Sequence, residues 1–218
     1  MGPITFTLVG ILAALLVVVL MHLFKKSDSP PVGAEPVEDL ANLGPQQARV
    51  GDVISISGAG DNMTDLDFTS DRCYWFEAGP RRWFDLAGPY HERRVAMRVD
   101  QGDEVAVSIA HDPRKLTLED LGLSEDDLAQ MDERQNSADS FEFDGRTWLY
   151  RLSREAQFTR SDQPQPAGFY YWEFREQDGN GLLALRKEQS EPFAVTLYSG
   201  IPAGDVTIYR AQSAPRRA

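Results

Sequence analysis

Residues 95–109 read VAMRVDQGDEVAVSI, and residues 183–197 read LALRKEQSEPFAVTL. Laid over each other without a gap, at an offset of 88, they match Ala96, Arg98, Gln101, Ala106 and Val107 with Ala184, Arg186, Gln189, Ala194 and Val195. Both blocks alternate apolar and polar residues with a period of two around a polar turn, the pattern of two half-buried strands. At the same offset Trp83-Phe84-Asp85-Leu86 falls on Tyr171-Trp172-Glu173-Phe174. With small shifts, Gly51–Ser57 resembles Gly145–Arg151, and Phe68-Thr69 resembles Phe158-Thr159. One offset serving two separate blocks points to an internal duplication. Each copy is an antiparallel meander too small to bury a good core alone, so the expectation is two lobes packed together.

Working outward, Val53–Ile56, Phe141–Phe143, Thr147–Tyr150, Phe169–Phe174 and Val206–Tyr209 also read as strands, rich in aromatic and β-branched residues and bounded by Gly or Asp-Gly turns. One segment breaks the pattern. Ser124 precedes Glu125, Asp126 and Asp127, Leu128 and Met131 lie three apart, and Arg134 follows, which predicts a short capped helix. The predicted fold is mainly β: an N-terminal transmembrane helix, then a soluble domain of two repeated antiparallel β-meander lobes with a short acidic helix between them. The boundaries are 1–26 for the anchor, 27–47 for a Pro-rich linker and 48–111 for the first lobe. The helical connector takes 112–139, the second lobe 140–210, and 211–218 form a disordered tail.

The anchor is Ile4–Phe24, an apolar run interrupted only by Thr5, Thr7, Gly10 and His22. At about 1.5 Å per residue it spans roughly 31 Å, the thickness of a bilayer's hydrocarbon core. A cleavable signal would carry basic residues before a shorter run and small residues after it. Here Lys25-Lys26 stands after the run, and nothing basic precedes it. Positive charge stays on the cytoplasmic side, so the expected location is the cell inner membrane, crossed once, with the C-terminal domain cytoplasmic. Pro30, Pro31, Pro36 and Pro45 stiffen the linker.

The chain is globular in composition, at 42% hydrophobic and 26% charged. Beyond position 26 lie 20 of its 22 basic and all 34 acidic side chains, a formal balance of −14. That balance argues against nucleic acid, whose phosphates need clustered Lys and Arg. It allows basic proteins, metal cations and polyamines as partners, and it equally suits a surface whose charge only confers solubility. Cys73 is the one cysteine, so the chain forms no internal disulfide and no cysteine-based zinc site.

The opening Val50-Gly51-Asp52-Val53, an aromatic-acidic strand in each half and the closing Val206-Thr207-Ile208-Tyr209 resemble the bacterial domain-of-unknown-function 4178 family. The resemblance covers Arg49–Arg210. It implies a β-rich, envelope-associated module in the neighbourhood of small membrane proteins and polyamine-metabolism-like enzymes. It implies no catalytic residues, and the transmembrane helix stands where some members carry a cysteine-rich segment.

For chemistry the sequence offers little. His91-Glu92 and His111-Asp112 lie beside turn signals, have no histidine at the equivalent position 88 residues on, and lack a third ligand at telling spacing, so no metal or cofactor is expected. No phosphate-binding glycine loop and no Gly-x-Ser-x-Gly elbow is present. The candidate ligand residues are Trp83 with Asp85 and Trp172 with Glu173. Paired carboxylates beside tryptophan suit a polyamine or a sugar, through charge and cation–π contact. The plainer arrangement is an outward-facing acid on a strand whose aromatic neighbours fill the core. Two readings follow. The first is a membrane-anchored binding or scaffolding module that recruits a protein or a cationic ligand, without catalysis. The alternative is an enzyme acting on a cationic or sugar-like molecule between the lobes, with Asp85 and Glu173 as acid and base.

Overall fold

The computed structural model describes residues 43–210. The expected membrane helix, most of the linker and the tail lie outside the described residues. Among the described residues no helix is long and apolar enough to cross a membrane. The strands are β1 (Val53–Ile56), β2 (Leu66–Thr69), β3 (Arg72–Ala78), β4 (Arg81–Tyr90), β5 (Arg93–Gln101) and β6 (Val105–Ala110). After the helix α1 (Glu125–Arg134) come β7 (Ser140–Phe143), β8 (Arg146–Arg160), β9 (Gln163–Glu176), β10 (Gly181–Glu188), β11 (Ala194–Ile201) and β12 (Val206–Tyr209).

Eight of these strands close into an antiparallel barrel. The order runs β3-β4-β5-β6-β11-β10-β9-β8, and β8 returns to pair with β3. Two four-strand meanders thus join along two seams. Tyr74–Glu77 of β3 pairs with Gln157–Arg160 of β8, and Val107–Ile109 of β6 pairs with Ser199–Ile201 of β11. β7 adds to the outer end of β8 through Asp144-Gly145. Both turn residues have positive φ, 53° and 69°, as a two-residue hairpin turn matched to the sheet twist requires. Register shifts at Tyr150/Leu152 and Phe158/Arg160 bend the long β8–β9 hairpin around the closure.

The expected pair of lobes gives way to this single closed sheet. Free meander edges would leave backbone groups unpaired, and the two halves pair them with each other. The offset of 88 sets β4 on β9, β5 on β10 and β6 on β11, but it misses the ladder by two residues. Arg98 pairs with Ser108, whereas Arg186 pairs with Ala194 rather than Thr196. A shift of two preserves which face each residue takes. The shorter likenesses fail outright: Gly51–Ser57 and Phe68-Thr69 lead into a separate three-stranded sheet, while Gly145–Arg151 and Phe158-Thr159 build the barrel.

That separate sheet, β12-β1-β2, joins the opening and closing strands of the folded body. Its Ile54, Ile56, Leu66, Phe68, Val206 and Ile208 cover the outward-facing Phe84, Leu86, Val95, Met97 and Val99 of β4 and β5. The end of the predicted linker belongs here too: Leu43 and Pro45 are buried, and Pro45–Gln47 form a 3-10 turn. α1 covers the other half. Ser124 caps it by accepting a hydrogen bond from the Asp127 amide, and Leu128 and Met131 lie in one core with Trp172, Phe174, Leu183 and Leu185.

Gly88 fixes how closely the cover sheet approaches. A Cβ there would sit 2.2 Å from the Thr69 carbonyl oxygen and 2.7 Å from a Phe68 ring carbon. Gly88→Ala is expected to destabilise by about 1–3 kcal/mol, the usual cost of overpacking. Chemical denaturation checks this, and an unchanged midpoint would show that β2 can lift without loss.

Candidate functional site

The inner face of the barrel has an unusual composition. Strand alternation turns Phe84, Leu86, Met97 and Val99 outward, so Trp83, Asp85, Arg98 and Asp100 point into the lumen. From the other half come Tyr171, Glu173, Arg186 and Tyr198. Aromatic rings occupy the middle. Phe76 stacks on Trp83 at 5.1 Å, Trp83 meets Tyr171 at 5.1 Å, and Phe158 and Phe169 each lie within 6 Å of Phe76.

At the rim where β4 and β10 begin, an ion network crosses the lumen. Arg98, 1% exposed, donates Nε and Nη2 to Asp100 at 3.0 Å each, and Nη1 to the Tyr171 hydroxyl at 2.9 Å. That hydroxyl donates onward to Glu173 Oε2 at 2.9 Å, which also takes Arg81 at 2.8 Å and lies 3.5 Å from Arg98. Arg175 donates to Glu173 Oε1 at 3.2 Å. Burial raises the Glu173 pKa, but the guanidinium groups of Arg98, Arg81 and Arg175 outweigh it and leave the carboxyl below its ordinary range.

The opposite rim, where β4 and β10 end, is built differently. A cavity of about 370 Å³ opens there among inward-facing residues, with Asp85, Arg186, Tyr198, Thr196, Tyr74 and Phe158 in its wall. Asp85 is 6% exposed. Its Oδ2 accepts from the Tyr198 hydroxyl at 2.8 Å, while its Oδ1 is buried without a partner. Burial pushes the Asp85 carboxyl above the ordinary carboxylate range, and Arg98, Arg186 and the Tyr198 hydroxyl only partly offset it. Arg186 makes no hydrogen bond or ion pair among the described residues, and its guanidinium lies 5.3 Å over Phe76. Cys73 lies on the outward side of β3 and is buried. Burial, with the Asp85 charge behind it, raises its thiol to about 12, so it is an inert packing residue.

Three of the four candidate residues therefore share the lumen, and the structure does not bring all four into one site. Trp83 belongs to the aromatic plug, Asp85 to the cavity and Glu173 to the ion network. Trp172 faces outward beneath α1, 4.6 Å from Tyr170 and 5.7 Å from Phe193. The arrangement with both acids on the solvent face is also corrected: Asp85 and Glu173 point inward. Sequence reasoning missed Arg186 and Tyr198. The available signal was their position on the same strand face as the two acids.

Other concavities are less built. A broad one of about 860 Å³, bordered by Glu77, Glu155, Tyr170 and Lys187, is open to solvent and holds no buried unpartnered polar atom. Another lies beside His111, whose Nδ1 is buried without a partner, but its Arg93 and Arg114 are already paired with Asp61, Asp112 and Asp144. His91 is a turn residue at φ 51°. Among the described residues no group of three His, Cys, Asp or Glu is arranged to hold a metal ion.

No family model, no curated protein and no solved structure matches the chain.

Proposed function

We propose that the chain is a membrane-tethered binding module that holds one small polar molecule in the rim cavity of its barrel. Asp85 carries this reading. A buried acceptor without a partner costs about 1–3 kcal/mol, and a fold retains such a cost where something else recovers it. Asp85 lines a cavity, beside Arg186, whose guanidinium likewise has no hydrogen-bond partner among the described residues. Eight strands enclose a lumen just wide enough to be filled by side chains or to hold one small ligand. Here the lumen is filled at one rim and in the middle, and open at the other. The cavity volume falls within the usual range for ligand sites, about 300–1,000 Å³. Ile4–Phe24 and Lys25-Lys26 supply the tether and its cytoplasmic orientation, and the family resemblance rests on its motifs alone.

The enzyme reading lacks its second group. Both Glu173 oxygens are occupied by arginines and Tyr171, and Glu173 does not line the cavity.

Thermal unfolding of the full-length chain against a panel of small polar metabolites tests the proposal. At least one compound is expected to raise the midpoint dose-dependently, as binding to the native state alone must. Thr196→Phe, which puts a ring into the cavity, is expected to abolish the shift. A panel without effect on the wild type, or with equal effect on both proteins, overturns it.

A further inference from the structure

We propose that the molecule held at this rim is a small zwitterion of the amino-acid type with an apolar side chain, its ammonium on Asp85 and its carboxylate on Arg186. The inference rests on the rim cavity being the ligand site, and goes on to name what fits it.

Hydrogen-bond accounting gives the first half. Asp85 Oδ1 is a buried acceptor that lacks a donor. Arg186 carries five N–H donors and no acceptor of its own, and none of them is used among the described residues. Both residues line the same cavity, and the positive charge of Arg186 reaches Asp85 electrostatically although no ion pair joins them. An acid and a guanidinium that face one cavity without touching are complementary to a molecule that carries the opposite charges, spaced to bridge them.

The charge of the lining gives the second half. Two acids, Asp85 and Glu188, and two bases, Arg160 and Arg186, contribute to it, and Arg160 is already held by Asp162 at 2.9 and 2.7 Å. A polycation such as spermidine would meet Arg186 with like charge, and a simple anion would meet Asp85 and Glu188 in the same way. A zwitterion meets neither penalty. The remaining wall is mostly apolar, with Tyr74, Phe76 and Phe158, and beside them Ala87 and Ala96, offering surface to a side chain. The expected cationic ligand thereby becomes a ligand with a cationic end.

Isothermal titration of the full-length chain with three matched probes tests this: L-leucine, 3-methylbutylamine and 4-methylpentanoate. They share one side chain and carry both charges, the ammonium alone and the carboxylate alone. L-Leucine is expected to bind saturably. Each single-charge analogue is expected to bind roughly tenfold or more weakly, the least that loss of one charge-assisted hydrogen bond removes. Asp85→Asn and Arg186→Met are each expected to weaken L-leucine by a similar factor, with thermal midpoints confirming that both variants are folded. Equal binding of the amine, or L-leucine binding indifferent to Arg186→Met, overturns the zwitterion. Failure of all three probes, while a metabolite from the panel still stabilises the wild type and not Thr196→Phe, overturns the ligand class and leaves the rim site standing. Silence of the panel as well removes the site itself.

Discussion

Arg98→Met is expected to destabilise the barrel by about 3–5 kcal/mol, the cost of removing one partner from a buried ion network. Against a total stability of about 5–15 kcal/mol for an ordinary domain, that is the largest single-residue loss we expect in this fold. Arg98 satisfies Asp100 through two bonds, Tyr171 through a third, and stands 3.5 Å from Glu173. It also lies 4.4 Å over the Trp83 ring, so it ties the aromatic plug to the network. Methionine keeps the apolar bulk and removes every donor. Arg81 remains for both acids but is itself a third exposed, so it cannot replace a guanidinium in the interior. Arg98→Lys should rescue little, since a point charge with three donors cannot reproduce a bidentate grip on Asp100 together with the Tyr171 bond. Urea unfolding measures the effect, with an unchanged slope showing that the midpoint shift is a stability change. A wild-type midpoint in Arg98→Met would mean that the network is no more than a plug, replaceable by packing.

Why the sequence revealed the strands and hid the lumen follows from β5. Val95, Met97 and Val99 alternate with Ala96, Arg98 and Asp100. That pattern identifies a strand with one apolar face, but says nothing about what lies on the other. The usual occupant of a polar face is water; here the apolar face is covered by β1, β2 and β12, and the polar one turns into the barrel. β4 and β9 invite the same misreading through Asp85 and Glu173. Closure is illegible for a different reason. The β3–β8 and β6–β11 seams are made by backbone groups, which every sequence carries alike. The second half of β8 was missed because Arg151, Arg154 and Glu155 break the apolar run at strand positions that bear on solvent or the rim. α1 was fully legible, since Ser124, the acidic first turn and the Leu128–Met131 spacing act locally.

Substituting the two acids that stand 88 residues apart should give opposite results at neutral pH: Asp85→Asn raises the unfolding midpoint, and Glu173→Gln lowers it. The sign follows from proton linkage. Asp85 has a folded pKa raised above its unfolded value of about 3.9, so the folded state binds more protons in that window and the wild type loses stability as pH rises through it. Asparagine does not titrate and still accepts from Tyr198, so its advantage opens with rising pH and closes below about pH 4. Glu173 has a folded pKa below its unfolded value of about 4.3. Its contribution is fully present above that value and is lost as pH falls through the folded one. Glu173→Gln should therefore cost about 3 kcal/mol near neutrality, as breaking a buried pair does, and less in acid. Thermal midpoints from pH 3 to 8 for the three proteins decide it. If both substitutions destabilise, Asp85 is a second structural acid, and the strain assigned to its unpartnered oxygen is absent. If Asp85→Asn stabilises while weakening L-leucine, the carboxylate is kept at a cost to the fold for what it binds, and that combination separates a ligand site from a packing accident.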